Sequence, residues 1–129
     1  RSVKKLSPAD ESAAAKIEAY LKAELPQFDR LCARDFFCAV AVKKGESRGM
    51  DILEKLKHAP DIAEHFKVAA IFDSEVDISD NSKILWKIFN NTDPSRDIIF
   101  GEPCLLDACK KNAADGHTRE WPDDLSFDK

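Results

Sequence analysis

The chain is short of the usual signatures of chemistry. It has only four glycines in 129 residues. None of them builds a GxGxxG, a Walker sequence or a GxSxG, so phosphate-cradling loops and strained nucleophile turns have no local support. No apolar run approaches bilayer-spanning length, which leaves no membrane span to expect. A basic excess is missing too: 20 Lys and Arg stand against 24 Asp and Glu, a net charge of −4. Nucleic-acid binding usually rests on a clustered basic footprint, so no nucleic-acid partner is expected. Cys32, Cys38, Cys104 and Cys109 contain no CxxC spacing, which argues against zinc and thioredoxin-type sites. No initiator Met and no apolar stretch behind Arg1-Ser2-Val3-Lys4-Lys5 are present, so no secretory signal is expected. The expectation is a piece cut from a longer polypeptide.

What is there suits one globular domain. The hydrophobic share is 43% and the charged share 34%, and a chain of this size buries roughly two-thirds of its unfolded surface. The cysteines sit in or beside apolar runs, as in FFCAVAV and CLLDAC. They read as reduced, structural side chains of a cytoplasmic protein.

Residues 7–25 carry the clearest helix pattern. Ser7 suits the N-cap, Pro8 the first helical position, and Asp10 and Glu11 the first turn. Ala14, Ile17, Leu21 and Leu25 form one stripe, and Pro26 ends it. Phe36 to Val42 is a continuous apolar run of strand length, as expected for a strand buried on both faces. A helix follows from about Ser47, with Ile52, Leu53 and Leu56, and a further turn spans Asp61 to Phe66. Lys67 to Phe72 is a second buried strand. Asp80 caps the next helix, whose apolar face is read as Leu85, Ile88 and Phe89, widened by Ile84 and Trp86. Short strands are expected at Ile98 to Phe100 and at Cys104 to Leu106, then a polar arm. Alternation with buried strands predicts an α/β fold, a layered domain with a small, partly parallel, mixed sheet flanked by helices. The division is a leading helix (1–26), an α/β core (27–107) and an irregular C-terminal arm (108–129).

Ligands of open α/β sheets sit beyond the carboxyl ends of strands. There the sequence offers Lys43, Lys44, Gly45, Asp73, Ser74, Glu75 and Asp77. DSEVDISD could hold a divalent cation, but lacks EF-hand spacing, and a solvated loop supplying a helix cap is the preferred reading. KKGES before a helix could bind phosphate at the helix N-terminus, against the plainer reading of a strand returning to solvent. His58 and His65 are seven apart and would share a helix face only if Pro60 did not intervene; no third ligand accompanies them. In NNTDPSRD, Asp93-Pro94 fits an Asx-type turn. Asp93, Arg96 and Asp97 could form a bidentate ion pair setting the turn, or Arg96 could grip an outside carboxylate or phosphate.

The run KVAAIFDSEVDISDNSKILWKIFNNTDPSRDI resembles the C-terminal domain of the UbiD family of decarboxylases. The strand ending in acids matches at Asp73, Glu75 and Asp77, the helix at Ile84, Leu85 and Trp86, and the turn at Asp93, Pro94, Arg96 and Asp97. LLDACKK matches that family's G-[LI]-D-A-T-[KR]-K at Leu106, Asp107, Ala108 and Lys110, with Leu105 for its Gly and Cys109 for its Thr. DGHTREWP matches the closing motif at Asp115, Gly116, Arg119, Trp121 and Pro122. The resemblance implies a lyase: a non-oxidative decarboxylase of aromatic or unsaturated acids, using prenylated FMN and a divalent metal, Mn or Mg. Those groups belong to the family's N-terminal part, which no segment here matches. The resemblance therefore implies no catalytic, cofactor-binding or metal residue in this chain. Its implied partners are the catalytic domain of the same polypeptide and further copies in a homo-oligomer, with a role in assembly and cleft closure. Trp86, Asp93, Arg96, Asp97, Asp107, Arg119 and Trp121 are the structural and interface candidates. The alternative is a stand-alone interaction module that kept the fold. The NNTDPSRD turn is expected to be a structural lock, so that Arg96→Ala lowers stability or association.

Overall fold

A computed structural model describes residues 7–34, 36–60 and 62–111. Helix α1, Pro8–Glu24, starts as its sequence predicts: Ser7 Oγ accepts from the Asp10 N–H at 3.1 Å, which satisfies one unpaired donor of the first turn. Ala13, Ile17 and Leu21 bury its inner stripe, and the chain turns away at Leu25. Two strands follow, β1 (Phe28–Arg34) and β2 (Phe37–Val42), joined as an antiparallel hairpin. Only β2 is expected from the sequence. Phe36 belongs to the hairpin turn with φ 44°, an uncommon left-handed conformation for a residue with a side chain.

Helix α2 (Gly49–Lys57) and the single turn α3 (Ile62–His65) lead to β3 (Val68–Asp73). Helix α4 (Asn81–Asn91) is capped by Asp80, whose Oδ1 accepts from Ser82 N at 2.9 Å and Lys83 N at 3.3 Å. Short strands β4 (Ile98–Ile99) and β5 (Cys104–Asp107) complete one five-stranded sheet in the order β1-β2-β3-β5-β4. Strands β2, β3 and β5 are parallel, and the outer pairs are antiparallel. The expected mixed α/β architecture is thus present, with one edge strand more than the sequence reading placed.

The period-two alternation of the strands sorts side chains onto two faces. Cys38, Val40, Val42, Ala69, Ile71 and Leu105 meet the apolar sides of α1, α2 and α3, including Ile17, Leu21, Leu53, Leu56 and Ile62, together with Phe66 just beyond α3. The opposite face is built from small residues, Ala39, Ala41 and Ala70, with Phe72. Val76, Ile78 and Ile84 lie against it. Arginines of β1 tie the 74–78 loop down: Arg30 donates to the carbonyls of Ser74 at 3.0 Å and Val76 at 2.5 Å, and buried Arg34 to that of Ile78 at 2.6 Å. The second face therefore has a thin cover, and this decides how α4 sits.

The expected apolar face of α4 needs correction. Ile84 is buried and Ile88 packs beside it, but Leu85, Trp86 and Phe89 are 56%, 67% and 82% exposed. A helix lying on a flat alanine surface buries a narrow stripe only, and the remaining apolar residues project outward.

Candidate functional site

The carboxyl ends of β2, β3 and β5 converge on the segment that follows β5. Lys44, just beyond β2, is buried and donates from Nζ to the Lys110 carbonyl at 2.8 Å. Asp73, the last residue of β3, accepts the Lys110 N–H on Oδ2 at 3.0 Å. The Ala108 N–H donates to the Ile71 carbonyl at 2.9 Å, continuing the parallel ladder by one residue. Ala108 and Cys109 are buried as a result. The positions where an open α/β sheet usually receives a ligand are here crossed by the chain's own backbone.

The NNTDPSRD turn is built onto the same place. Asp93 Oδ1 accepts from Ser95 N at 3.0 Å and Ser95 Oγ at 2.8 Å, an Asx turn. These bonds hold the Asp93 carboxyl below the usual carboxylate range, Ser95 being the main cause and Arg96 a minor one. The carboxylate of Asp97 turns inward and is 3% exposed. It accepts from the Asp93 N–H at 2.8 Å on Oδ2. Arg96 grips it with both prongs, Nε to Oδ1 at 2.8 Å and one terminal nitrogen to Oδ2 at 3.0 Å. The bidentate pair anticipated from the sequence is therefore Arg96 with Asp97, while the Asp93 side chain closes the turn.

Lys111 joins this pair to β5. Its side chain is 2% exposed, and Nζ lies 3.6 Å from Asp97 Oδ2 and 3.5 Å from Asp107 Oδ1. Nζ also donates to the carbonyls of Asp107 at 3.1 Å and Cys109 at 2.6 Å. Asp107 Oδ1 accepts from the Cys109 N–H at 3.0 Å. The end of α4 adds Asn91 Nδ2 to the Ala108 carbonyl at 2.9 Å and Thr92 Oγ1 to the Asp107 carbonyl at 3.0 Å. Two buried carboxylates thus share one buried ammonium; Asp97 also has the Arg96 guanidinium, and each carboxylate accepts one backbone N–H, from Asp93 and Cys109 respectively, as burial of charge demands.

The other side of Asp107 faces the start of α2. A Cβ added at Gly49, the first residue of that helix, would run into the Asp107 carboxylate. Gly49 is thus required by close approach. The Asp107 carboxylate also occupies the positive end of the α2 dipole, so the anion place suggested by KKGES is filled by the chain's own acid.

Asp93, Arg96, Asp97 and Asp107 are brought together, whereas Trp86 stands apart on the outer side of α4. Arg119 and Trp121 lie outside the described residues. Lys111 and Gly49 are not foreseen; the only sequence signal for them is their place beside the LDACKK segment and at a helix start. The acidic loop resolves into turns: Asp77 Oδ1 accepts from Ser79 N and Oγ at 3.1 and 2.6 Å, which holds its carboxyl below the ordinary range, and Asp80 is the helix cap. The histidines do not share a face. His58 ends α2, and His65 Nδ1 lies 2.8 Å from Asp10 Oδ1, linking α3 to α1.

All four cysteines are unbridged. Burial, first of all, pushes the Cys38 thiol up to about 12, and pushes Cys109 up as well with help from the negative charges of Asp107 and Asp73. Since the thiolate is the reactive form, Cys38 and Cys109 should resist an aromatic disulfide reagent in the native protein at mildly alkaline pH. The half-buried Cys32 and Cys104 should react first. Release of chromophore in two phases, with the slow phase tracking unfolding, is the expected record. A single fast phase for all four would contradict this burial.

The comparisons with known proteins agree with this architecture. The 3-octaprenyl-4-hydroxybenzoate carboxy-lyase C-terminal domain model matches residues 28–118. An uncharacterized protein of Helicobacter pylori (strain J99) is 31% identical over 91 residues, covering 69% of this chain and 14% of that protein. An uncharacterized protein of Aquifex aeolicus is 27% identical over 114 residues, covering 67% of this chain and 21% of that protein. The chain thus spans about a seventh to a fifth of the length of these relatives. Among solved structures, an evolved dimeric form of the UbiD-class enzyme HmfF from Pelotomaculum thermopropionicum, in complex with prFMN, superposes with a TM-score of 0.70 at 13% identity. That match covers 92% of this chain and 29% of HmfF. The closed form of Sedimentibacter hydroxybenzoicus vanillic acid decarboxylase gives 0.68 at 14% identity, covering 87% of this chain and 29% of the enzyme chain. At these identities the structures show a shared fold. The match over 28–118 shows the family: this chain belongs to the 3-octaprenyl-4-hydroxybenzoate carboxy-lyase C-terminal domain family.

Proposed function

We propose that this chain is the C-terminal assembly and cleft-closing domain of a UbiD-like non-oxidative decarboxylase acting on an aromatic or unsaturated carboxylic acid, and that it is not catalytic alone. The observation that carries this reading is the family match over residues 28–118 in a chain that corresponds to a small fraction of its relatives. The use of the polar residues supports it. Lys44, Asp73, Arg96, Asp97, Asp107 and Lys111 bond one another or the backbone, which builds a rigid platform.

Prenylated FMN and a divalent metal, Mn or Mg, are assigned to the catalytic domain of the same polypeptide. HmfF is solved with prFMN and with FMN. Two features of the described residues support that assignment. Among them no three His, Cys, Asp or Glu side chains are placed to hold a metal ion, and the anion place at the start of α2 is taken by Asp107. No step is assigned to these residues. The vanillic acid decarboxylase is solved in open and closed forms, and a domain that moves as a body in such a change must keep its own shape. The buried lock around Asp97 supplies that stiffness. A homo-oligomeric, cytoplasmic enzyme completes the reading; among the described residues no helix is long and apolar enough to cross a membrane.

The test compares the full polypeptide with the same polypeptide lacking this domain, both made in cells that supply prenylated FMN. Flavin should remain bound in both, while oligomeric mass and carbon dioxide release from the acid substrate should fall on deletion. Flavin bound by the 129-residue chain itself, or an open reading frame starting within a few residues of Arg1, would overturn the proposal in favour of a stand-alone module.

A further inference from the structure

Among the described residues, the second face of the sheet is one helix short. Five strands at about 4.8 Å spacing leave room for two helices of about 10 Å diameter side by side. The first face carries α1, α2 and α3, whereas the second carries α4 and, held to β1, the 74–78 loop. Burial shows where the gap lies. Register sets Phe37, Val68 and Cys104 side by side on the second face, and Leu106 beside Ile98. All five are only partly buried, while Cys38, Ala69 and Leu105, which point to the first face, are 0% exposed. The pairing of β4 with β5, carried on by one residue, puts Phe100 opposite Cys104, and Phe100 is 73% exposed. These side chains form an apolar shelf at the amino ends of β3 and β5.

Beside the shelf stands a helix of the kind that would fill it. Lys83 and Lys87 line a groove together with Glu75, Val76 and Asp77, so this flank of α4 is turned to the loop over β1. Leu85 and Phe89 lie about 200° round the helix from the two lysines, and so face away from the loop, toward the uncovered strands. Trp86 stands on the outer side. All three are more than half exposed. We propose that a second copy of this chain is the cover. The two copies pair about a two-fold axis, second face to second face, and each lays Leu85, Trp86 and Phe89 on the other's shelf of Cys104, Leu106, Ile98 and Phe100. The two α4 helices then share one layer between the sheets. The inference rests on the assembly role proposed above and gives it a surface and a partner.

Three properties of the patch favour a second copy. The first is shape. A contact about a two-fold axis must be complementary to itself, and here a projecting apolar helix and a gap one helix wide lie next to each other on one face. The second is charge. Each chain carries a net charge of −4, which opposes self-association, yet none of the side chains named in this contact is ionised. Like charges are therefore kept out of the interface, where they would cost most. The third is area. At about 150–250 Å² for an aromatic side chain, Trp86, Phe89 and Phe100 alone offer roughly 450 Å². That is more than half of the ~800 Å² that each partner gives to a stable interface, before Leu85 and the half-buried floor are added. An apolar cluster of this extent marks a surface made to be covered.

The test reads mass and no activity, so its failure and a failure of the decarboxylase reading are separate results. Sedimentation equilibrium of the 129-residue chain over a wide range of concentration should give a reversible dimer, twice the 14.5 kDa of one copy. Phe89→Asp changes the helix side of the contact and Phe100→Asp the shelf side. Both positions are exposed, so each variant should keep the circular dichroism of the unsubstituted chain. Each should raise the dimer dissociation constant about a hundredfold or more, because two unpaired carboxylates would be buried per dimer. Glu54→Lys, on the exposed side of α2, should change nothing. A monomer at every concentration would overturn the proposal and leave the shelf to the remainder of the polypeptide. A dimer that survives both substitutions would overturn it as well, and would leave the assembly role to another surface. Loss of the dimer with Phe89→Asp alone would remove the shelf as the seat of α4 and overturn the arrangement proposed.

Discussion

Replacing Asp97 by alanine should lower the unfolding free energy by about 3–5 kcal/mol, the usual result of removing one member of a buried charge group. The reason is what stays behind. Asp97 takes the Asp93 N–H, both prongs of Arg96 and a share of Lys111. Without it the Lys111 ammonium, with only 2% of its side chain exposed, keeps Asp107 and two carbonyls but loses half of its countercharge. Asp97→Asn is the sharper comparison. It preserves shape and part of the hydrogen bonding, so its loss reports the charge. Urea melts of both variants would measure the effect, with the slope unchanged if the native state is otherwise intact. A loss below about 1 kcal/mol for Asp97→Ala would place this group among ordinary surface pairs and remove the argument for a rigid platform.

Arg96→Ala should cost less than Asp97→Ala. The guanidinium side chain is one-third exposed, so water can replace part of what it gives, whereas nothing replaces the carboxylate. The ordering of the two variants tests whether Asp97, and not Arg96, is the centre of the turn. Small anions should not change the melt of the unsubstituted chain, because Arg96 already holds the Asp97 carboxylate in its bidentate grip.

Much of this architecture is legible from local pattern. Strands β2 and β3 read as FCAVAV and VAAIFD because both their faces are covered, and a continuous apolar run has no other economical use. Ser7 and Asp80 announce helices because capping is a matter of three or four neighbouring residues. Strand β1 is hidden for the opposite reason. It is an edge strand whose Arg30 and Arg34 are held by carbonyls of a loop more than 40 residues away, and those partners are not visible in DRLCAR. A weak signal existed in the alternation of Leu31 and Ala33 with Cys32 and Arg34. Helix α4 misleads differently. Leu85 and Phe89 have the chemistry of core residues, but hydrophobicity does not say which surface a residue is meant to bury. The candidate site divides in the same way. Asp93, Arg96 and Asp97 lie within one turn and can be proposed together, and Asp107 comes through the family motif. Lys111 and Gly49 enter only when parallel pairing carries β5 past β3 and toward α2, a long-range event.

The second large effect is expected at Gly49, where two local rules disagree. Alanine is the better helix former by up to about 1 kcal/mol, so Gly49→Ala should stabilise an isolated α2. In the folded domain the added Cβ meets the Asp107 carboxylate, which is buried, 2% exposed, and tied to Cys109 and Lys111. It cannot swing away as the far end of a surface side chain would. Overpacking of this kind typically costs about 1–3 kcal/mol, and here it also displaces a charge from its partners, so the steric term outweighs propensity and the variant should melt lower. A double-mutant cycle separates the causes. With Asp107→Ala already present the obstacle is gone, and Gly49→Ala should become neutral or slightly stabilising. Additive losses in the double variant would mean that α2 does not rest on Asp107, and that the carboxyl ends of the sheet are held by the Asp97 turn alone.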